Sequence, residues 1–120
     1  MAKAVGLDFH VLKPYGDNQR YDVLVESGAR MSRVQVKSTS TVVRGGQYHV
    51  NSGRRSTSGP VPYLPSEIDF LAVHVVPEDS WYIIPVAEIY PRVSFLIYPK
   101  GHAKPGLYGA YREAWHLLAD

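Results

Sequence analysis

Residues 21–37, YDVLVESGARMSRVQVK, decide the fold because two runs of alternating apolar and polar residues flank a short turn. Such alternation is typical of a strand with one buried and one exposed face. The turn lies at SGAR, residues 27–30, between predicted strands over residues 21–26 and 31–38. The segment therefore predicts an antiparallel β-hairpin at the centre of the domain.

The register of this hairpin decides which polar side chains share a face. A two-residue turn and a four-residue loop give the same pairing, in which Asp22 lies opposite Gln35 with Cβ atoms roughly 5 Å apart. Lys37 lies two residues beyond Gln35 and shares its face, while Val34 and Val36 point into the core. A three-residue loop would shift the pairing and move Asp22 to the opposite face.

The grouped residue types suit a metal and a phosphate. Asp22 offers the hard anionic oxygen that Mg²⁺ prefers, the Gln35 amide oxygen is a weaker ligand, and the Val36 carbonyl is a third. Mg²⁺ keeps several waters, one of which can become a nucleophile. Lys37 would orient that water, lower its pKa or stabilise charge on the phosphate. Spacing alone leaves open the alternative that these are solvated groups on a half-exposed hairpin.

The rest of the chain predicts a mostly β, partly helical domain. Further strands are predicted over residues 9–12, 42–50 (interrupted by two glycines), 68–76, 81–84 and 93–98. Residues 1–7 read as the end of a helix, residues 85–89 as one helical turn, and residues 107–118 as the one clear helix. Residues 51–65 read as a long loop, and residues 13–18 and 100–105 as shorter turns and loops.

Composition limits the class of protein but does not identify it. With 120 residues, 45% apolar and 20% charged, the chain fits one globular domain over residues 1–120. The net charge of +2 is too small to establish nucleic-acid binding by itself. The absence of cysteine excludes disulfides and thiolate metal sites. Neither a signal peptide nor a bilayer-length apolar run is present, so we expect a soluble, cytoplasmic protein without membrane contact.

Positive charge is concentrated between residues 33 and 55. Arginine and hydroxyl side chains on a loop suit phosphate contacts. We therefore predict nucleic-acid contacts at four arginines: Arg33, Arg44, Arg54 and Arg55. The alternative is a solvated basic loop.

Five segments, in this order, carry a family resemblance. They are PYGDNQRYD at 14–22, RVQVKS at 33–38, EIDFLA at 67–72, WYIIPV at 81–86 and YREAW at 111–115. Together they resemble the PD-(D/E)XK nuclease superfamily, in particular the group I intron-associated endonuclease branch and its bacterial relatives. The resemblance spans roughly residues 4–118.

The resemblance implies an α/β, restriction-endonuclease-like fold with a mixed central sheet flanked by helices. It implies that Asp22 and Gln35 belong to the metal site, Gln35 standing where many relatives carry Glu or Asp, and that Lys37 is the catalytic lysine. Relatives usually add a Glu from a first helix, but residues 1–7 contain no acid, so we expect that helix to be truncated.

The leading hypothesis is a DNA endonuclease that depends on Mg²⁺ or Mn²⁺ and acts as a homodimer or tetramer. A catalytically inactive DNA-binding or assembly module on the same scaffold is the alternative. A third possibility is an α/β domain without a nucleic-acid role.

Overall fold

A computed structural model describes residues 3, 6–7, 9–14, 19–99 and 106–119. Its strands are β1 His10–Leu12, β2 Val23–Ser27, β3 Arg30–Thr39, β4 Val42–Val43, β5 Gln47–Asn51, β6 Gly53–Ser56, β7 Gly59–Pro62, β8 Phe70–Val75, β9 Ser80–Pro85 and β10 Ser94–Ile97. Short 3₁₀ helices lie at Arg44–Gly46, Val76–Glu78, Val86–Glu88, Gly109–Tyr111 and Trp115–Leu118.

The main sheet is mixed, in the order β1-β2-β3-β8-β9. The β2–β3 and β8–β9 pairs are antiparallel, whereas β3 and β8 run parallel, with Gln35 opposite Leu71. A parallel pair needs a long crossover. Here that connection contains the β6–β7 hairpin and the strands β4 and β5, which pair with the later strand β10 in a second sheet of order β10-β5-β4. The predicted mixed central sheet is confirmed.

The main sheet carries a hydrophobic core on each face. One core joins it to the chain's last turn and contains Val23, Val25, Val34, Phe70, Ala72, Ile83, Trp115 and Leu118. The other joins it to the second sheet and contains Leu71, Val73, Ile84, Tyr48, Val50, Phe95 and Ile97. Because side chains alternate along β3, Val34 enters the first core, while Gln35 and Lys37 lie on the side of the second sheet.

The prediction of a long loop over residues 51–65 is wrong. Residues 53–62 form the β6–β7 hairpin, with Gly53 paired to Pro62 and Ser56 to Gly59. The backbone N–H groups of Ser52 and Gly53 donate to the Val93 carbonyl at 2.9 and 3.1 Å, which fastens the hairpin to the segment before β10. Prolines in a strand are confined to edges, and a two-stranded ribbon that is all edge tolerates them.

The predicted helix over residues 107–118 is also wrong. Arg112 and Glu113 lie between two 3₁₀ turns. Arg112 forms a β-bridge with Tyr82 of β9, and Glu113 has a φ of 49°. The Glu113 carboxylate accepts hydrogen bonds from the Trp81 N–H at 2.9 Å and the Trp115 indole N–H at 2.8 Å. These tertiary bonds to the sheet edge override the helical spacing of the apolar residues.

Helices that flank the sheet are therefore not confirmed. Over residues 9–14, 19–99 and 106–119, every helix is a 3₁₀ helix of three or four residues. The predicted first helix over residues 1–7, the turn at 13–18 and the loop at 100–105 lie wholly or largely outside the described residues. In the described part of the chain, no helix has the length and apolar character needed to cross a membrane.

Replacing Glu113 with alanine should lower the free energy of unfolding by about 1–3 kcal/mol, because two donors on tryptophans lose their acceptor. Urea denaturation followed by tryptophan fluorescence measures this change. Glu88→Ala, at an exposed position, is the matched control and should leave the midpoint unchanged. Equal midpoints for both variants would show that Glu113 does not fasten this segment.

Candidate active site

The hairpin register predicted from the sequence is confirmed. Val23 pairs with Val34 and Ser27 with Arg30, which leaves a two-residue turn in which Gly28 has a φ of 59°. The Asp22 N–H donates to the Val34 carbonyl at 2.9 Å, so the antiparallel contact extends one residue beyond β2. Asp22 therefore lies beside Gln35.

The Asp22 carboxylate is held by two donors from β3. Its Oδ2 accepts the Gln35 side-chain N–H at 3.0 Å and the Val36 backbone N–H at 2.9 Å. Gln35 is buried, with 9% of its surface exposed, whereas Asp22 is exposed. The structure thus brings the predicted carboxylate and amide together at the solvent boundary of the sheet.

The Val36 carbonyl points toward the same place. Peptide groups of alternate residues face the same neighbouring strand, and the Val34 carbonyl already bonds to Asp22 on the β2 side. The Val36 carbonyl points to that side as well, past Val23, where β2 begins. It therefore faces the same side of β3 as the Val36 N–H that bonds to the Asp22 carboxylate.

Lys37 is positioned by parts of the chain distant in sequence. Its Nζ donates to the Gly53 carbonyl at 3.3 Å and lies 5.5 Å from the centroid of the Tyr63 ring. Gly53 has no room for a side chain, since a Cβ would lie 2.8 Å from the Val61 carbonyl oxygen. Glycine at residue 53 therefore lets this strand pack against Val61 and Val93 while its carbonyl accepts the hydrogen bond from Lys37.

Tyr63 belongs to the site, although no sequence pattern pointed to it. The residue is 8% exposed. Burial raises the pKa of Tyr63, the Asp22 carboxylate raises that pKa further, and the Arg54 and Arg20 cations oppose the rise. Because Lys37 and Asp22 both act on this one ring, they lie on the same side of the sheet. Tyr63 is thus close to Lys37 and within the electrostatic reach of Asp22.

The oxygen atoms at this point fit a hard divalent cation. Asp22, Gln35 and the Val36 peptide supply a carboxylate, an amide and a carbonyl oxygen, the ligand types that Mg²⁺ takes. Gln35 turns its amide nitrogen toward Asp22, so its oxygen would reach a shared ion only after the amide rotates. Among the described residues, no three His, Cys, Asp or Glu side chains form a metal cluster. Such a site suits a weakly held ion that keeps its waters.

Of the predicted DNA-contacting residues, Arg33 is engaged within the protein. Its guanidinium donates to both oxygens of Asp69, at 3.2 and 3.0 Å, and to the Ser66 carbonyl at 2.7 Å. The Asp69 hydrogen bond raises the pKa of Arg33. Burial would raise the pKa of Asp69, but the hydrogen bonds from Arg33 outweigh burial and lower that pKa. The pair anchors the segment that leads into β8.

The other three arginines lie on the second sheet and on the hairpin. Arg44 begins the short helix Arg44–Gly46 between β4 and β5. Arg54 and Arg55 lie on β6, with Arg55 exposed and Arg54 half-buried. The Arg54 Nε is buried without a hydrogen-bond partner in the described part of the chain. A buried donor of this kind is costly unless a ligand or water satisfies it.

Fold and site together define a protein of the restriction-endonuclease-like class. The sequence profile of the PD-(D/E)XK endonuclease family matches residues 1–118, and the chain belongs to this family. The solved structure of a bacterial homing endonuclease, I-Ssp6803I, is similar, with a TM-score of 0.77 and 29% sequence identity over 97% of this chain and 80% of that chain. A search of curated proteins found no match. The family resemblance read from the sequence is confirmed.

Replacing Gln35 with glutamate should tighten Mg²⁺ binding about tenfold, because a second carboxylate joins Asp22. Without metal the same change should lower the melting temperature, since it replaces a hydrogen bond with like charges. Calorimetric titration and thermal melts with and without Mg²⁺ measure both effects. Gln47→Glu, on β5, carries the same charge change as a control. Unchanged affinity in Gln35→Glu would remove this residue from the metal site.

The Arg33–Asp69 pair should make stability depend on pH. The pKa of Asp69 is lower in the folded state. The ionised carboxylate therefore adds to the free energy of unfolding above the unfolded-state pKa, which is near 4. That stabilisation is lost as the pH falls through the folded-state pKa. Asp69→Asn should therefore cost about 1 kcal/mol at pH 7, discounted for partial exposure, and less near pH 3. Urea denaturation at both pH values tests this, with Glu88→Gln as control. A cost independent of pH would contradict it.

Proposed function

We propose that this chain is a metal-dependent DNA endonuclease that hydrolyses phosphodiester bonds with Mg²⁺ or Mn²⁺. One observation carries the proposal: the Asp22 carboxylate is held against Gln35 and Val36 at 3.0 and 2.9 Å, on the side of the sheet that presents Lys37. Membership of the PD-(D/E)XK endonuclease family supports a nuclease reaction at this point. Members of that family generally use divalent metal ions and act on DNA.

The site residues have different roles because their side chains differ in chemistry. Asp22, Gln35 and the Val36 carbonyl would hold the ion, which supplies an acidified water and neutralises phosphate charge when bound. Lys37 would hold the attacking water by hydrogen bonding and stabilise the charge that grows on the phosphate oxygens. Its contacts with Gly53 and Tyr63 fix the ammonium group before substrate arrives. Pre-positioning of this kind avoids reorganisation during the reaction.

The basic residues would bind the phosphates of the DNA backbone. Arg54 supports this role best, because its buried Nε lacks a protein partner among the described residues. Arg55 is exposed on the same strand, and Arg44 adds a further positive residue beside β5. Arg33 would contact DNA only by giving up its bonds to Asp69. We therefore assign Arg54 and Arg55 the main phosphate contacts.

We also propose that the active form is a homodimer or tetramer in the cytoplasm. One chain supplies one candidate site, so cutting both strands of a duplex calls for at least two chains. Closed symmetric assemblies are the usual way to provide them. The absence of cysteine agrees with a reducing compartment.

An inactive DNA-binding or assembly module remains the second candidate function. Two observations favour it: Asp22 is the only carboxylate that bonds to the Gln35–Val36 segment in the described residues, and Gln35 presents nitrogen toward it. Such a protein would bind DNA through the hairpin arginines and cut nothing.

Lys37→Ala should reduce DNA nicking by about 100-fold or more, because a preorganised charge at the reacting phosphate is worth that much. Nicking of supercoiled plasmid with Mg²⁺ or Mn²⁺ measures the rate, and a gel-shift assay in EDTA measures affinity. Lys13→Ala, at an exposed lysine on the chain after β1, is the matched control.

The outcomes separate the two functions. Nicking by the wild type and Lys13→Ala but not by Lys37→Ala supports the endonuclease. Equal nicking by all three proteins would end the assignment of Lys37 and point to a contaminating nuclease. DNA binding without nicking by any of the proteins would favour the inactive module.

A further inference from the structure

A polar recess lies between the end of β3 and β5, next to Lys37. It encloses about 250 Å³ and is lined by Lys37, Ser38, Ser40, Thr41, His49 and Asn51, with Thr39 and Val76 completing the wall. We propose that this recess binds a backbone phosphate of the DNA strand beside the phosphate that is cleaved. The inference rests on the proposed endonuclease function, which it deepens by giving the path of the strand.

Backbone and buried hydrogen bonds give the recess a fixed shape. The Thr39 hydroxyl, on a residue 7% exposed, donates to the His49 carbonyl at 2.6 Å and accepts the Thr41 N–H at 3.3 Å. The His49 N–H donates to the Thr41 carbonyl at 3.1 Å. Two of these bonds join β5 to the end of β3 and the chain after it, and the third holds Thr41 against Thr39. Its walls are therefore built before any ligand arrives.

The remaining polar groups at the recess are free to meet a ligand. Over the described residues, no protein hydrogen bond involves the side chains of Ser40, Thr41, His49 or Asn51. They offer hydroxyl, imidazole and amide donors beside the Lys37 ammonium group. Hydroxyl, amide and cationic side chains are the groups that proteins use to hold DNA phosphates.

The charge around the recess selects an anion. Its lining contains Lys37 and His49 but no carboxylate. β8 ends beside Thr39, through the Thr39–Val75 pair, and the acidic residues that follow β8 are engaged elsewhere. Glu78 accepts the Tyr48 hydroxyl at 3.2 Å, and Asp79 bonds to His74 at 3.0 Å. An anion in the recess would therefore meet donors, with no carboxylate among the lining residues.

The recess and the groove of the hairpin share one lining residue. Asn51 lines both the recess and a groove of about 610 Å³ that also contains Arg54, Arg55 and Ser94. Lys37 stands at the edge of the recess, on the side of the Asp22 carboxylate. A strand with its reacting phosphate at Asp22 and Lys37 would therefore place a neighbouring phosphate in the recess, with the hairpin arginines further along.

The test uses the double variant Ser40→Ala, His49→Gln in the full chain. We expect the apparent KM for plasmid nicking and the Kd for a short duplex in EDTA to rise about tenfold, as for the loss of one good phosphate contact. Ser66→Ala, His116→Gln makes the same two chemical changes at exposed positions and should behave as wild type. Circular dichroism melts check that both variants fold.

A second measurement does not depend on cleavage. Backbone amide NMR follows titration of the metal-free protein with the short duplex and, separately, with inorganic phosphate. Saturable shifts at residues 38–41 and 49–51 with the duplex, lost in the double variant, support the proposal. If inorganic phosphate saturates the shifts of these residues and the duplex cannot displace it, the recess is a site for the free anion. That result would overturn the proposal.

The failure of this inference differs from the failure of the proposed function. If the wild type nicks DNA and the double variant keeps its KM and Kd, the recess binds no substrate phosphate, while the endonuclease stands. If the wild type neither nicks nor binds DNA, the endonuclease proposal and the DNA-phosphate recess both fail. This holds whether or not inorganic phosphate binds in the recess.

Discussion

The register between β2 and β3 is the constraint on which the structure and its candidate site depend. The same pairing that buries Val23 and Val34 in one core places Asp22 beside Gln35. A slip by one residue would reverse every side chain of a strand. It would expose apolar groups whose burial stabilises the fold by about 1.5–3 kcal/mol each. Packing on one face therefore enforces the chemistry on the other.

The site also needs groups that the hairpin does not carry. Lys37 meets Gly53 from β6 and Tyr63 from the segment after β7, and His49 from β5 lies across the adjoining recess. All three lie near the lysine because the crossover between β3 and β8 folds back over the sheet as a second layer. The parallel pairing of β3 with β8 is what makes that long connection necessary. Sheet topology thus supplies the wall of the site.

Local patterns predicted the parts of this molecule that local physics determines. Alternation and a glycine-containing turn were enough for the β2–β3 hairpin, its register and the approach of Asp22 to Gln35. They failed for residues 53–62, where two prolines resemble a loop, and for residues 107–118, where Glu113 bonds to tryptophans of separate elements. Tyr63 could not be found, because its place beside Asp22 depends on contacts between segments forty residues apart in the chain.

The hydrogen bond between Gly53 and Lys37 links the chemistry to a ribbon of only two strands. A two-stranded ribbon has little stability of its own, and such elements open locally far more often than the whole protein unfolds. Each excursion of β6 and β7 would withdraw the carbonyl that anchors the ammonium group. The lysine would then alternate between a tethered and an untethered state, and the time the ribbon spends closed would set the fraction of molecules ready to react.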